Sequence, residues 1–231
     1  MQTQMEFKTR DFYSDELRVL KTLKVQIEKR GSNKAKFYHF VLAIFLGAIF
    51  VYLATLTPDG FLLFLFGTIA VLLFGFVVFM PYEIYKAQRW YKKKIQCLNA
   101  LIEKGTISTC RINATRIALA KEYEDENDWY IVELCKDKVL YLWDSAYNLN
   151  KKFPCLVFEI YENNFFELTG KQIYPLSEKI KPVMIAPKKK WEYMKQIDMP
   201  DHCEEQLVGA PESTRTAKIS FDELINKIEK N

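Results

Sequence analysis

The segment that most constrains this chain runs from residue 37 to residue 82 and contains a single charged residue, Asp59. Elsewhere charge is abundant, since 27% of all residues are Asp, Glu, Lys or Arg. Asp59 lies in a short turn between two uncharged runs, 37–57 and 61–80, both rich in Leu, Ile, Phe and Val. A bilayer core of about 30 Å is crossed by roughly 20 helical residues. The pattern therefore predicts a transmembrane helical hairpin over 37–82.

A soluble core and a signal peptide both fit these apolar runs less well than a membrane does. Helices in the core of a soluble protein normally keep a polar stripe on the side that faces solvent, and neither run has one. A signal peptide would stand at the N-terminus, whereas the first apolar run begins only at Phe37. Membrane spans are the preferred interpretation, with the lipid bilayer as the first predicted partner.

Basic residues flank the hairpin on both sides and are absent from its turn. By the positive-inside rule both termini then face the cytoplasm. The chain is predicted to be a two-pass integral protein of a plasma membrane or a bacterial inner membrane. These basic residues are Lys29, Arg30, Lys34 and Lys36 before the first run, and Lys86, Arg89, Lys92, Lys93 and Lys94 after the second.

Small residues in the two spans suggest how the helices pack. The Pro-Asp-Gly turn within 57–60 suits a tight reversal, which makes the spans antiparallel neighbours. Ala43 and Gly47 on the first span, with Gly67 and Gly75 on the second, would allow two backbones to approach closely. The same residues could instead join two copies of the chain, so homo-oligomerisation stays open.

Helical patterns continue on both sides of the hairpin. In the N-terminal cytosolic segment, 1–36, apolar residues recur at helical spacing after Ser14, a suitable N-cap, and predict an amphipathic helix over 15–30. A juxtamembrane helix is predicted over 83–105, with Pro81 at its start, where a helix tolerates proline. Because both helices abut the same side of the membrane, we expect their apolar stripes to pack together as a short stalk.

Residues 106–200 lose the helical period and are rich in short β-type runs, which predicts a cytosolic β-rich domain. The segments Trp129–Cys135 and Lys138–Trp143 are separated by two residues, a spacing typical of a tight hairpin. A domain of roughly 95 residues can bury a core of its own. We expect a small antiparallel sheet, either a partly closed barrel or a sheet against a helix, and assign the chain to the α+β membrane class.

Other parts of this domain give weaker strand signals. Strands are predicted at 155–161 and 165–169, where the intervening Glu-Asn-Asn suits a turn. Segments 106–111 and 182–186 are candidate edge strands. Segment 112–123 fits either a strand or a helix.

Two charge clusters in the domain each permit a binding or a structural interpretation. The acidic run within 122–128 could hold a hard cation, but it lacks the mid-loop glycine of a calcium-binding loop, so a solvated connection is preferred. Three lysines at 188–190, followed by Trp191 and Tyr193, could contact lipid headgroups or nucleic acid. An exposed turn after Pro187 is preferred, and nucleic acid is not predicted as a partner. The acidic residues are Glu122, Glu124, Asp125, Glu126 and Asp128.

The C-terminal segment, 201–231, divides into a predicted linker and a final amphipathic helix. Ser220 and Glu223 form a capping box, and Ile219 with Leu224 forms a hydrophobic staple. This helix could dock on a protein partner or on its own domain, and the sequence does not separate these. Its apolar face consists of Phe221, Leu224, Ile225 and Ile228.

No catalytic, cofactor-binding or metal-ligating residue can be assigned from motifs. The five cysteines and two histidines have no zinc-type spacing, and no phosphate-binding glycine loop is present. In an extended stretch the adjacent His202 and Cys203 would point apart. Carboxylates such as Glu133, Asp144 and Glu159 could meet only through an unforeseen fold.

Three functions follow in order of preference. The first is a membrane-anchored, noncatalytic module that binds a protein at the cytoplasmic face through the β-rich domain or the C-terminal helix. The second is a membrane-tethered hydrolase or lipid-modifying enzyme, and the third is an oligomeric pore formed by the hairpin.

Overall fold

The computed structural model describes residues 5–32, 37–58, 60–124, 127–196, 203–206, 209–211 and 214–230. The fold is mixed α+β and divides into two compact units. The helical unit is Arg18–Glu103, and the β-rich unit combines Met1–Leu17 with Lys104–Asn231. Two of the helices are long and apolar enough to cross a membrane.

The described residues of the helical unit form three helices. They are α1 (Ser14–Ser32, whose first turn belongs to the β-rich unit), α2 (Phe37–Leu56) and α3 (Gly60–Lys104). The segment predicted as a juxtamembrane helix is helical up to Lys104, but its predicted separation from the second span is wrong. Helix α3 continues through Pro81 and has 45 residues, about 70 Å at 1.5 Å per residue. A proline removes one backbone donor and bends a helix without ending it when the residues on both sides favour the helix. The predicted cap is also wrong, since Ser14 lies inside α1.

The two flanking helical segments meet as the sequence predicts. A Cβ atom added to Gly31 of α1 would lie 3.4 Å from Cβ of Tyr91 in α3. Leu20 and Leu98 are fully buried, and Ile27 is nearly so.

The contact between α2 and α3 uses only part of the predicted small-residue set. Ala43, Gly47 and Ala70 are buried, and a Cβ atom added to Gly47 would lie 3.1 Å from the Phe74 ring. At Gly67 the same addition would meet nothing within 4 Å. The predicted role of Gly67 in this contact is therefore wrong. Gly75 is similar, since its nearest neighbour is Phe79 of its own helix, at 4.0 Å.

This difference between the glycines predicts a difference between two variants. Gly47→Leu should destabilise the helix pair by about 1–3 kcal/mol, the usual cost of overpacking, because the Phe74 ring occupies the space the new side chain needs. Thermal unfolding of the full chain in detergent, followed by circular dichroism, measures the effect. Gly67→Leu is the matched control and should leave the midpoint unchanged. Equal destabilisation by both variants would contradict the packing described.

Within the described residues, ten strands form two sheets in the β-rich unit. The outer sheet is antiparallel, in the order β1-β2-β6-β7. The central sheet has the order β8-β3-β4-β5-β10-β9, and of its described pairs β3–β8 is the parallel one. The strands of the outer sheet are β1 (Met5–Asp11), β2 (Thr106–Asn113), β6 (Val157–Tyr161) and β7 (Ile173–Pro175). Those of the central sheet are β3 (Ile117–Ala120), β4 (Trp129–Cys135), β5 (Lys138–Trp143), β8 (Val183–Ile185), β9 (Cys203–Gln206) and β10 (Thr214–Ala217).

The central sheet is covered on both faces. Alternate residues of β4 and β5, such as Val132 and Leu140, pack against the inner face of the outer sheet, which contributes Phe158. The intervening residues, such as Trp129 and Tyr141, pack against two helices, α5 (Pro187–Gln196) and α6 (Phe221–Lys230). A short helix, α4 (Asn163–Thr169), follows β6. Burial on both faces explains why the first four residues of β4, 129–132, are all apolar or aromatic.

Several strand predictions are confirmed. The hairpin of β4 and β5 has the predicted bounds, with Lys136-Asp137 at its turn. Segment 155–161 contains β6, and segment 182–186 contains β8, an edge strand. Segment 106–111 is a strand but lies between β1 and β6 rather than at an edge. In segment 112–123 the strand β3 settles the ambiguity.

Two predictions in this unit are wrong because helix termini were not recognised. Segment 165–169 belongs to α4, which ends at Gly170 in the left-handed conformation with φ +69°, a common helix stop. The expected exposed turn at 188–190 is the first part of α5. Pro187 suits the first position of a helix, and Tyr193 is buried beneath the sheet.

The C-terminal segment also differs from its prediction. The expected linker contains β9 and β10, and β10 pairs with β5 inside the central sheet. Helix α6 has the predicted cap, since the Glu223 backbone N–H donates to Ser220 Oγ at 3.2 Å. Its apolar residues, Phe221, Leu224 and Ile228, are buried in the β-rich unit itself.

Candidate functional site

The outer face of the outer sheet carries a buried polar cluster. In an antiparallel pair, residues directly opposite each other share a face. The register of β1, β2 and β6 therefore places Lys8, Arg10, Thr109, Glu159 and Tyr161 on the face that points away from the core. The first turn of α1 adds Glu16 to this cluster.

Arg10 is held between two carboxylates. Its NH1 and NH2 donate to the two oxygens of Glu16 at 2.9 and 2.7 Å, and its Nε donates to Glu159 Oε2 at 2.7 Å. The Tyr161 hydroxyl donates to Glu16 Oε1 at 2.6 Å, and the Tyr13 backbone N–H donates to Glu16 Oε2 at 2.7 Å. Both glutamate side chains are fully buried. The cluster ties β1 and the start of α1 to β6.

The pKa shifts in this cluster favour fixed charges. Burial alone would raise the pKa of Glu16, but hydrogen bonds from Arg10, Tyr161 and Tyr13 lower it. Burial alone would lower the pKa of Arg10, and its two carboxylate partners raise it. Burial and the bond to Glu16 raise the pKa of Tyr161. At neutral pH the arginine and Glu16 stay charged and the tyrosine stays neutral, which suits a structural tie.

Beside this cluster lies a cavity of about 500 Å³ between β1, β2 and the start of α4. Thr109 is 3% exposed, and its Oγ1 has no hydrogen-bond partner within the described part of the chain. Burial raises the pKa of the Cys110 thiol to about 12, so the thiol is protonated at neutral pH and a poor nucleophile. The polar side chains along the lining include Lys8, Thr9, Ser108, Thr109, Asn163 and Asn164.

A second cavity, of about 310 Å³, lies between the loop after β5 and the turn that joins α4 to β7. Lys151, Lys152 and Lys171 line it, together with one carboxylate, Asp15, and the ring of Tyr174. The Asp15 carboxylate is 3.5 Å from the Tyr174 hydroxyl. The lining is therefore predominantly basic.

Hydrogen bonds fix the loop that carries two of these lysines. Asp144 Oδ1 accepts from the Asn148 backbone N–H at 2.9 Å, and Oδ2 accepts from that of Leu149 at 3.0 Å. The Asn148 side-chain amide donates to the Gly170 carbonyl at 2.6 Å. Burial raises the pKa of Asp144 even though these backbone bonds oppose the shift. The loop and the turn opposite it are thus joined directly.

The three carboxylates considered from the sequence do not form one site. Glu133 accepts from Arg116 Nε at 2.7 Å, and this bond lowers the pKa of Glu133. Asp144 accepts a hydrogen bond from the Leu149 backbone N–H in the loop after β5, and Glu159 accepts one from Arg10 Nε. Among the described residues, no three His, Cys, Asp or Glu side chains could hold a metal ion.

The remaining sequence candidates have separate environments. Lys190 is 1% exposed, and its Nζ donates to the Asn127 carbonyl at 3.0 Å. In the acidic connection, Asp128 Oδ1 accepts from the Glu122 backbone N–H at 2.8 Å. Asp125, Glu126 and His202 lie outside the described residues, as does the Cys203 side chain.

Sequence reasoning missed the Arg10 cluster. Its members are up to 153 positions apart, so no local spacing connects them. One signal was present: Met5 and Phe7 alternate with Glu6, Lys8 and Arg10, the two-residue period of a strand.

Comparison of the chain with known protein families, curated proteins and solved structures finds no match.

Proposed function

We propose that this chain is a two-pass membrane protein whose β-rich unit is held at the cytoplasmic face and binds another protein there. One observation carries the proposal. The most apolar windows of α2 and α3 have mean hydropathies of 2.3 and 2.8, yet only 11% and 6% of their residues are buried. A core helix of a soluble protein would be mostly covered by protein, so this bare apolar surface supports lipid as its solvent.

Individual side chains support the same proposal. Phe45, Phe61 and Phe64 are 63%, 76% and 72% exposed, and all lie within the two apolar helices. In water such rings would strongly favour association, whereas in a hydrocarbon core they are solvated. The lysines and arginines that flank the hairpin support an orientation with both termini in the cytoplasm. The proposed membrane is a plasma membrane or a bacterial inner membrane.

Binding is a better interpretation than catalysis for the β-rich unit. The buried Cys110 thiol is held protonated, and the Tyr161 hydroxyl is committed to Glu16. The lining of neither cavity supplies an activated nucleophile next to a base within the described residues. The edge strand β8, in contrast, exposes Val183 and Met184, at 47% and 49%. Exposed apolar side chains on a sheet edge are typical of protein contact surfaces.

Proximity labelling from the C-terminus in intact cells tests this proposal. Cytoplasmic proteins should be enriched over a control that carries only the hairpin anchor. The same proteins should be enriched when residues 37–82 are replaced by an unrelated two-span anchor, because the β-rich unit carries the binding. Met184→Lys should reduce the enrichment, and Cys135→Lys, an exposed change at the end of β4, should not.

Two results would contradict the proposal. Labelling of proteins outside the cytoplasm would show that the C-terminus lies on the opposite side of the membrane from the one proposed. Loss of all enrichment on exchanging the anchor would assign the binding to the hairpin.

A further inference from the structure

We propose that the 310 Å³ cavity beside β7 is a binding site for a phosphate-bearing anion, held by Lys151, Lys152 and Lys171. The phosphate could belong to a lipid headgroup or to a soluble phosphate ester, which share the chemistry recognised here. This inference goes beyond protein binding and does not depend on it.

The charges around the cavity are unbalanced. Three lysines share the lining with a single acidic residue, Asp15. None of the three lysines forms an ion pair within the described part of the chain. Cations elsewhere in the unit do: Arg10 binds Glu16 and Glu159, and Arg116 binds Glu133 and Asp222. Like charges gathered at one concavity repel each other unless an anion joins them.

The cavity is also held in shape before any ligand arrives. Lys151 and Lys152 follow the loop that Asp144 caps, while Lys171 follows the turn at Gly170. The bond from the Asn148 amide to the Gly170 carbonyl, at 2.6 Å, connects the two. Gly170 has a φ of +69°, so this turn has a conformation that other residues rarely adopt. A rigid arrangement lowers the entropic cost of binding.

The size and lining of the cavity define the ligand class. Sites for small molecules typically have volumes of about 300 Å³ or more, and this cavity of about 310 Å³ falls in that range. It is larger than a bare phosphate, so it leaves room for the organic group of a phosphate ester. Tyr161, Ile173 and Pro175 supply apolar surface for that group. Lysine binds phosphate as a point charge from several directions. A phosphate monoester with a compact organic group fits these features.

Binding is tested on the full chain in a nonionic detergent by isothermal titration calorimetry. Glycerol 3-phosphate represents a soluble phosphate ester, dihexanoyl phosphatidic acid represents a lipid phosphate, and dihexanoyl phosphatidylcholine is the probe without net charge. We expect one or both anionic probes to bind and the neutral probe not to bind. Replacing Lys151, Lys152 and Lys171 with glutamine should weaken anion binding by about tenfold or more.

A matched variant separates this site from general attraction to a basic surface. Lys121, Lys136 and Lys181 are exposed lysines outside the cavity, and their replacement with glutamine removes the same charge. This control should retain the affinity of the unchanged chain. Binding of glycerol 3-phosphate alone would identify a soluble ligand, and binding of phosphatidic acid alone would identify a lipid. Equal weakening by both triple variants, or no anion binding at all, would overturn the proposal.

Asn148→Ala provides an independent test of preorganisation. It removes the link to Gly170 without changing any charge. If the cavity is a formed site, the affinity for the anionic probe should fall severalfold while thermal stability is checked in the same samples. If Asn148→Ala folds normally and binds like the unchanged chain, the lysines act only as a diffuse basic surface and the proposal fails.

Discussion

Replacing Arg10 with methionine is expected to lower the free energy of unfolding of the β-rich unit by about 3–5 kcal/mol, because it leaves buried Glu16 without its cation and buried Glu159 with only the Lys8 ammonium, 3.8 Å away. Glu16 and Glu159 are fully buried, and both depend on the same guanidinium. Native proteins are stable by only about 5–15 kcal/mol, so the loss would be a large part of the total. Urea unfolding of the full chain in detergent, followed by near-ultraviolet circular dichroism, measures it.

Two further variants separate the ionic cluster from ordinary loss of packing. Combining Arg10→Met with Glu16→Gln and Glu159→Gln removes the uncompensated charges, so it should recover much of the stability. Arg116→Met is the matched single change at a pair whose arginine side chain is 45% exposed, and its effect should be smaller because solvent screens the pair. The account would be wrong if Arg10→Met were no more harmful than Arg116→Met.

Phe221→Ala is expected to destabilise the same unit by about 3–5 kcal/mol, the usual cost of deleting a buried aromatic ring. Phe221 is 2% exposed, packs with Leu224 and Ile228 against the central sheet, and lies 4.6 Å beneath the Arg116 guanidinium. Hydrogen exchange of α6 and β4 in the full chain is the measurement, and protection should fall in both elements together.

The control for this prediction is Glu229→Ala, an exposed change on the same helix, which should leave protection unchanged. If Phe221→Ala increased exchange in α6 alone, α6 would unfold or dissociate independently of the central sheet. That result would favour the interpretation in which α6 docks on a protein partner over the one in which it docks on its own domain.

Elements defined by neighbouring residues could be predicted from the sequence. The β4–β5 hairpin follows from strand patterns separated by two residues, and α6 follows from Ser220 and its apolar spacing. The two apolar helices follow from length and composition. In each case the physical signal lies within one element or between adjacent ones.

Elements defined by distant partners could not be predicted. The strand β1 pairs with β2 about a hundred positions later, with Met5 opposite Ile112. Strand β10 is too short to show a strand pattern in its sequence. It is defined by its pairing with β5 in the central sheet. The aromatic residues of segment 165–169 favoured a strand in the sequence analysis. The segment is instead the end of α4, which stops at Gly170 in the left-handed conformation.

The candidate sites depend on the same long-range contacts. Arg10 meets Glu159 only after β1, β2 and β6 have paired in register. Lys151 and Lys171 line one cavity where the loop after β5 meets the turn at Gly170, and Asn148 bonds to Gly170 there. No spacing of charged residues along the chain indicates either arrangement.

The central claim is that lipid covers the exposed apolar faces of α2 and α3. Its most direct test is flotation of the full chain on vesicles after an alkaline carbonate wash. We predict that the protein floats with the vesicles, as an integral protein does. Recovery of a monodisperse protein from the aqueous fraction, without detergent, would contradict the account.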